Sequence, residues 1–163
     1  MSNVCALTIR NATPDDVEII AKFNNCLAVE TEGKQLDMAM LHRGVANAFD
    51  QGEACRYFLA ETDVPENGGP SSRRIVGQAM ITQEWSDWRD GTFWWFQSVY
   101  VEESYRRQGV FEQLYRHIEA LAKGTLGVCG LRLYVEQENG RAMATYRSMG
   151  MADTGYRVFE TEW

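Results

Sequence analysis

The chain has 163 residues, of which 45% are hydrophobic and 24% are charged, and its formal net charge is −7. This length fits one domain, residues 1–163, built around a single hydrophobic core. No apolar run approaches the roughly 18 residues that a membrane span needs, and the N-terminus carries no signal-peptide pattern. We therefore expect a cytoplasmic protein that has no membrane partner.

The distribution of charge and the spacing of cysteines indicate which binding partners can be excluded. Residues 104–147 carry a net charge of +3 while residues 1–103 carry −8, whereas a nucleic-acid binder would show a basic face across the domain. We expect no nucleic-acid partner. The cysteines form no C-x-x-C pair and only two histidines are present, which argues for reduced thiols and against a zinc site or a serine triad. We expect no bound metal; the cysteines are Cys5, Cys26, Cys55 and Cys129.

The first half of the chain is predicted to contain a strand, two helices and a hairpin. Apolar alternation predicts a strand over residues 4–10, and Thr13-Pro14 followed by two acidic residues predicts a helix start. A second helix is expected over 36–50. Strands are predicted over 55–61 and 74–84, and the loop between them is rich in Pro, Gly and Asn.

The second half alternates strands and helices. Residues 92–101 are almost continuously aromatic and β-branched, which is typical of a central strand covered on both faces. A helix over 107–123, a strand over 128–135, a short helix from Asn139 to Gly150 and a closing strand over 155–162 are predicted to follow. This order predicts a mixed α/β fold with two crossover helices in its second half.

A turn with two arginines and a glycine joins the central strand to the helix after it. The first turn of a helix leaves backbone N–H groups without partners, and the positive end of the helix dipole lies behind them, so a phosphate group binds well there. Gly109 has no side chain to hold a phosphate away from the backbone. Alternatively, Arg106 and Arg107 merely cap a surface turn.

This turn, the strand before it, and the segment from Asn139 through Tyr146 to Gly150 together resemble the GNAT superfamily of N-acetyltransferases. Neither G-x-G-x-x-G nor the P-loop motif of other nucleotide-binding folds is present. The resemblance implies the acyl-CoA N-acyltransferase fold, a mostly antiparallel sheet with a splayed parallel pair. It also implies acetyl-CoA as co-substrate, bound where strands 92–101 and 128–135 separate.

The family pattern implies which residues contact acetyl-CoA, mostly through the main chain. The pantetheine arm and thioester would bind along the central strand, and the pyrophosphate would bind the N–H groups of the turn. One position departs from the family, because Phe111 stands where a small residue is usual. The implied residues are Val99, Tyr100, Val101, Arg106, Arg107, Gln108, Gly109, Val110, Phe111, Asn139 and Tyr146.

Acetyl transfer also needs an acid for the departing thiolate and a donor to the oxyanion. Asn139, Ala142 and Tyr146 share one face of their helix, and matching Tyr146 to the family's tyrosine implies that it is the general acid. A phenol of pKa about 10 can protonate a nascent thiolate, whose thiol has a pKa of about 8.5. The alternative is a tyrosine that only packs the helix against the sheet. The Val99 N–H is the expected oxyanion donor.

The base is less clear from the sequence. Gln97 matches the position where several amine acetyltransferases carry a glutamate, and an amide cannot act as a base. Carboxylates that could deprotonate the amine through water are Glu84 and Asp87, or Glu30 and Glu32 after the first helix. Each could also be an ordinary solvated surface carboxylate.

The acceptor is expected to be a small cationic amine, because acids alternate with aromatics around Trp85 and carboxylates with aromatic faces suit a cation. A weaker resemblance to the polyamine and diamine acetyltransferases agrees with this. Glu30, Glu32, Trp85 and Gln97 are the expected acceptor-binding residues. A protein or peptide acetyltransferase and a non-enzymatic acyl-CoA-binding module are the alternatives, and a homodimer is common in the superfamily.

Overall fold

The computed structural model describes residues 7–65 and 70–163 and contains five strands and four main helices in these ranges. Residues 4–6 of the first predicted strand, with Cys5, and residues 66–69 of the predicted loop lie outside the described residues. In chain order the elements are β1 (Leu7–Asn11), α1 (Val17–Glu32), α2 (Met38–Asp50), β2 (Cys55–Val64), β3 (Ser72–Ser86), β4 (Gly91–Val101), α3 (Val110–Gly124), β5 (Val128–Arg132) and α4 (Gly140–Ser148).

The five strands form one sheet in the order β1-β2-β3-β4-β5. The first four pair antiparallel, whereas β4 and β5 pair in parallel. The parallel pairing ends where Trp95 faces Arg132, and no described strand pairs on that side with the rest of β4, up to Val101. The predicted mixed sheet with a splayed parallel pair is therefore confirmed.

Helices cover both faces of this sheet. On one face α1 and α2 build a core from Ile20, Ala21, Val45, Ala48, Tyr57 and Leu59, each at most 9% exposed. On the other face α3 stacks Tyr115 on Phe96, with ring centroids 5.5 Å apart, and places His117 against Phe58. The central strands are thus buried on both sides, as their apolar run predicts.

The N-terminus of α3 lies directly against β3 because the strand carries a glycine there. A Cβ at Gly77 would stand 3.0 Å from Val110 Cγ1 and 3.2 Å from the Tyr100 carbonyl oxygen. Both distances are tighter than ordinary van der Waals contact, so any larger residue would push the helix away from the sheet. Gly77 therefore allows the start of α3 to lie close to the sheet.

A compact ionic cluster anchors the start of α1 to the sheet. Asp16 accepts hydrogen bonds from Arg10 at 2.7 Å and from the Thr13 backbone N–H at 2.7 Å, and Arg10 also donates to Glu61 at 2.6 Å. Asp16 is only 8% exposed. The Arg10 hydrogen bond outweighs burial and holds the pKa of the Asp16 carboxyl below its usual range.

The chain divides after Leu133 into two compact units, and the second, Tyr134–Trp163, contains α4. Asn139 caps α4 by accepting the Ala142 N–H at 3.0 Å, as predicted. The strand predicted over 155–162 is wrong, since residues 151–163 form no strand. Tyr156 and Phe159 are more than 80% exposed. An alternating pattern becomes a strand only when a neighbouring strand accepts its backbone hydrogen bonds.

The cluster at Asp16 predicts an acid-sensitive contribution to stability. A carboxylate whose pKa is lowered by folding stabilises the protein above the unfolded pKa and loses this contribution as the pH falls through the folded pKa. Asp16→Asn should therefore lower the free energy of unfolding by about 1–3 kcal/mol at pH 7. The deficit should shrink as the pH falls below about 4 in urea unfolding experiments. Asp15→Asn, on the exposed neighbour, should change little; equal losses for both variants would contradict the prediction.

Candidate active site

The central strand β4 is interrupted by a bulge beyond the point where β5 ends. Gln78 faces Tyr100 and Met80 faces Gln97, so Ser98 and Val99 stand together opposite a single residue of β3. Ser98 has φ +48°, a backbone angle that costs a non-glycine residue about 1–3 kcal/mol and persists only where the surrounding structure imposes it. Bulges of this kind redirect backbone groups next to active sites. Val99, the predicted oxyanion donor, lies within this bulge.

The predicted phosphate turn, which directly precedes α3, has an unusual backbone. Arg107 has φ +62° and Gly109 has φ +79°, so two left-handed residues flank Gln108. Such turns gather backbone N–H groups into an anion-binding concavity. The first helical bond runs from the Gln113 N–H to the Gly109 carbonyl, so the N–H groups of the preceding helical residues point out of the helix end. Gln108 braces the turn by donating to the Ser104 carbonyl at 2.8 Å.

Gly109 is required here by its backbone angle. Open space surrounds the position where its Cβ would be, whereas φ +79° lies in the region that L side chains rarely adopt. The structure also accommodates the unusual Phe111. Its ring lies 6.5 Å from Phe96 and 6.3 Å from Tyr115, in an aromatic cluster between α3 and the sheet. The large side chain therefore packs into the core face of the helix.

Arg106 joins the turn to the end of α1. Its Nε donates to the Val101 carbonyl at 2.9 Å, and its Nη2 donates to Glu30 at 2.6 Å. The other Glu30 oxygen accepts the Tyr100 hydroxyl at 3.1 Å. Burial, together with the Glu30 charge, raises the pKa of Tyr100 to about 12, so its phenol stays protonated at neutral pH. The structure thus places Glu30, a predicted acceptor-binding residue, in hydrogen-bond contact with Tyr100 and Arg106, which are predicted cofactor-binding residues.

A second polar row runs along the α1 and α2 face of the sheet toward the bulge. Gln97 donates to the Thr82 hydroxyl at 2.8 Å. Further along, Glu84 accepts the Trp95 indole N–H at 2.7 Å and Arg132 at 2.6 Å. The Arg132 guanidinium in turn lies 3.7 Å from the centre of the Phe93 ring. Glu84 and Gln97 therefore share one face, and the Glu84 carboxylate is engaged by a cation.

The remaining predicted acceptor-side residues are exposed. Trp85 is 63% exposed, and Asp87 is exposed in the turn between β3 and β4. Glu32 pairs with Lys34 at 3.0 Å on an exposed part of the α1 end. Their roles stay predictions.

In the second unit, α4 carries the predicted acid. Tyr146 is half-buried, and burial raises the pKa of its phenol above the usual value. The phenol is therefore protonated across the neutral range, which is the form that a proton donor needs.

Metal-binding clusters and membrane-spanning helices are both absent from the described residues. Within residues 7–65 and 70–163, no group of three or more His, Cys, Asp or Glu side chains is arranged to hold a metal ion. No helix in these ranges is long and apolar enough to cross a membrane.

The sequence did not reveal a buried polar cluster beneath the bulge. Gln78 is fully buried and contacts Asn24 and the backbone of Ser98. The available signal was a lone amide at position 78 between apolar neighbours of a buried strand. A lone polar residue in such a run indicates a specific hydrogen bond, because burying an unpaired amide is costly. Its partners, however, come from distant parts of the chain.

Known proteins are similar to this chain in sequence and in fold. A model of the acetyltransferase (GNAT) family matches residues 23–151. The crystal structure of a possible acetyltransferase from Clostridium difficile 630 is 42% identical, with a TM-score of 0.83 over 96% of this chain and 97% of that one. A predicted acetyltransferase with acetyl-CoA from Clostridium acetobutylicum is 16% identical and similar in fold, with a TM-score of 0.72 over 96% of each chain.

A curated relative, thialysine N-epsilon-acetyltransferase from Bos taurus, is 30% identical over 99 residues. The match covers 58% of this chain and 57% of that protein, so this chain spans little more than half of the relative's length. The family model, by contrast, extends from α1 to the residues after α4 and includes the bulged strand and the turn before α3. The chain therefore belongs to the GNAT family of acetyltransferases, which confirms the resemblance found in its sequence.

Proposed function

We propose that this protein transfers an acetyl group from acetyl-CoA directly to a primary amine of a small cationic acceptor. The observation that carries the proposal is the course of β4. The strand loses its partner at Trp95, is bulged at Ser98 and leads within ten residues into the left-handed turn that opens α3. A thioester and a pyrophosphate are joined by an extended arm, so a free strand edge followed by an anion-binding helix end suits such a molecule.

The main chain of this region binds the co-substrate. Backbone N–H groups from Arg106 to Phe111 hold the pyrophosphate, and the free edge of β4 from Val99 to Val101 holds the pantetheine arm. Left-handed angles at Arg107 and Gly109 favour this role because they turn successive N–H groups toward one point. The family resemblance also assigns Asn139 and Tyr146 to the co-substrate.

The transfer follows from the chemistry of these groups. The neutral amine nitrogen attacks the thioester carbonyl carbon and forms the C–N bond, and the resulting oxyanion accepts a hydrogen bond from the Val99 N–H. Collapse of this intermediate breaks the C–S bond, and the departing thiolate takes the phenolic proton of Tyr146. The extra proton of the amine leaves through water to a carboxylate. Glu84 and Asp87 are the candidates, and Glu84 is favoured because it lies in the polar row that leads to Gln97.

A cationic acceptor is supported by the acidic groups on the α1 and α2 face. Glu30 lies at the end of α1, and Glu84 lies beside Trp95 with its indole ring. Carboxylates offset the charge of an ammonium group, and aromatic faces attract it. The name of the Bos taurus relative, which acts on thialysine, agrees with an amine of this class. Cytoplasmic location and a homodimer stay predictions from the sequence.

Turnover should depend on Tyr146 far more than co-substrate binding does. Tyr146→Phe removes only the hydroxyl, so we expect kcat to fall about 10²–10³-fold, the usual contribution of general acid catalysis. Binding of CoA, measured by calorimetry, should change less than about two-fold, which is within 0.4 kcal/mol. Because the pKa of Tyr146 is raised, wild-type kcat should not fall on the alkaline side until above pH 10. Tyr156→Phe, on an exposed tyrosine of the same unit, is the control, and an unchanged rate in Tyr146→Phe would remove the acid assignment.

Glu30 should couple the acceptor to the phosphate turn. Glu30→Gln removes the charge that an amine would pair with, so we expect the KM of a cationic acceptor to rise about ten-fold, or about 1.4 kcal/mol. The same change releases Arg106 and should lower the KM for acetyl-CoA. Steady-state kinetics with both substrates varied measures both effects. Glu18→Gln changes an exposed glutamate of the same helix and should leave both KM values unchanged. If Glu30→Gln does not raise the KM of the acceptor while lowering the KM of acetyl-CoA, the coupling is contradicted.

Thiol release from acetyl-CoA over a panel of diamines, amino acids, aminoglycosides and peptides tests the function itself. We expect small cationic amines to react. Reaction with peptides alone would indicate a protein acetyltransferase, and CoA binding without turnover of any acceptor would indicate an acyl-CoA-binding module.

A further inference from the structure

Four side chains from four elements meet behind the bulge of β4. Gln78 of β3 donates from Nε2 to Asn24 Oδ1 of α1 at 2.6 Å and to the Ser98 carbonyl of β4 at 3.1 Å. Asn24 in turn donates to the Tyr57 hydroxyl of β2 at 3.4 Å. Burial raises the pKa of Tyr57, while hydrogen bonds with Asn24 and Ser98 partly offset this effect. A polar network therefore connects α1 with the three central antiparallel strands at the bulge.

The position of Gln78 in this network is costly to maintain. Its side chain is fully buried, and its Oε1 atom accepts no hydrogen bond from the described residues. A methionine of similar volume would fill the space without an unpaired oxygen. The benefit of the amide must therefore lie in the two bonds that its nitrogen donates. One of these bonds goes to the carbonyl of Ser98, which carries the left-handed backbone angle.

Holding the Ser98 carbonyl fixes more than the serine. The Ser98 carbonyl and the Val99 N–H belong to the same planar peptide group, so the direction of one sets the direction of the other. A hydrogen bond that pulls the carbonyl toward β3 and α1 directs the N–H to the opposite side. That N–H is the donor that the proposed function assigns to the oxyanion.

We propose that Gln78 is a positioning residue, which aims the Val99 N–H at the thioester carbonyl by holding the other end of the Ser98–Val99 peptide. Asn24 supports it by fixing the amide from α1. This inference rests on the proposed function, since it assumes that the thioester carbonyl lies at the bulge. Donors act on an oxyanion only when they are held at the right position, so a shift of the peptide should reduce the rate without removing co-substrate binding.

The test compares two ligands that differ in the carbonyl alone. Acetyl-CoA carries the thioester carbonyl, whereas S-ethyl-CoA is a thioether that lacks it. In the intact protein, calorimetry should show tighter binding of acetyl-CoA. In Gln78→Met, we expect the affinity for S-ethyl-CoA to stay within two-fold, the preference for acetyl-CoA to disappear, and kcat to fall about ten- to a hundred-fold.

Gln83→Met makes the same chemical change on the same strand and serves as the control. Gln83 donates to the Glu53 carbonyl at 2.7 Å, at an exposed position away from the bulge. Its variant should keep the preference for acetyl-CoA and the wild-type kcat. A Gln78→Met variant that retains the preference, or that weakens both ligands equally, would overturn the positioning role.

A second pair of variants decides the matter if Gln78→Met shows no cooperative thermal unfolding. Asn24→Asp keeps an oxygen that accepts the Gln78 amide, whereas Asn24→Leu does not. We expect Asn24→Leu to lose preference for acetyl-CoA and Asn24→Asp to retain it; identical behaviour of the two would refute the network. Failure of the proposed function is recognised separately, because wild-type protein would then bind acetyl-CoA yet turn over no acceptor, or would fail to bind either ligand.

Discussion

The structure depends on the point where β4 loses its parallel partner. Hydrogen bonds between β4 and β5 end at Trp95 and Arg132, and the remaining residues of β4 keep the antiparallel pairing to β3 on one side only. An unpaired strand edge is usually a liability, because its backbone groups invite pairing with another chain. In this protein the edge leads into the left-handed turn before α3. Under the proposed function, the same unsatisfied groups would bind an extended ligand.

Specific contacts hold the backbone beside this edge. The bulge at Ser98 is imposed by β3 and by the Gln78 amide, and the start of α3 is seated on Gly77. Strained backbone angles at Ser98 and Arg107 flank the segment that would bind acetyl-CoA. Strain persists in a folded protein only where the rest of the structure determines it, and such residues cluster at functional sites. Binding energy is therefore not needed to shape the backbone of the site.

Most of the fold was accessible from the sequence, because hydrophobic period and capping residues are local signals. The helix start at Thr13-Pro14 and the cap at Asn139 were predicted from adjacent residues and are confirmed. The strand over 155–162 was wrong because its pattern says nothing about whether a partner strand is present. The accommodation of Phe111 was beyond the sequence as well, since the aromatic cluster that accepts its ring combines β4 with α3.

The site residues divide in the same way. The turn before α3 could be predicted because arginine, glycine and a helix start stand next to each other in the chain, and its binding of phosphate stays a prediction. The network of Gln78, Asn24 and Tyr57 could not, since its members are separated by tens of residues and each has an ordinary local context. The sequence also did not reveal charge pairing. Glu30 and Glu84 were predicted as candidate bases or solvated surface carboxylates, and each forms an ion pair with an arginine.

This pairing changes what the acceptor must be. A carboxylate that is already paired with an arginine contributes little to the binding of a neutral ligand. An ammonium group, by contrast, can replace the guanidinium as its partner at small electrostatic cost. At Glu30 the displaced partner is Arg106, which belongs to the phosphate turn. Under the proposed function, an anionic pyrophosphate would draw Arg106 toward itself and so release Glu30 for the amine. The two substrates would then bind with mutual support, and by linkage each would raise the affinity for the other by the same factor.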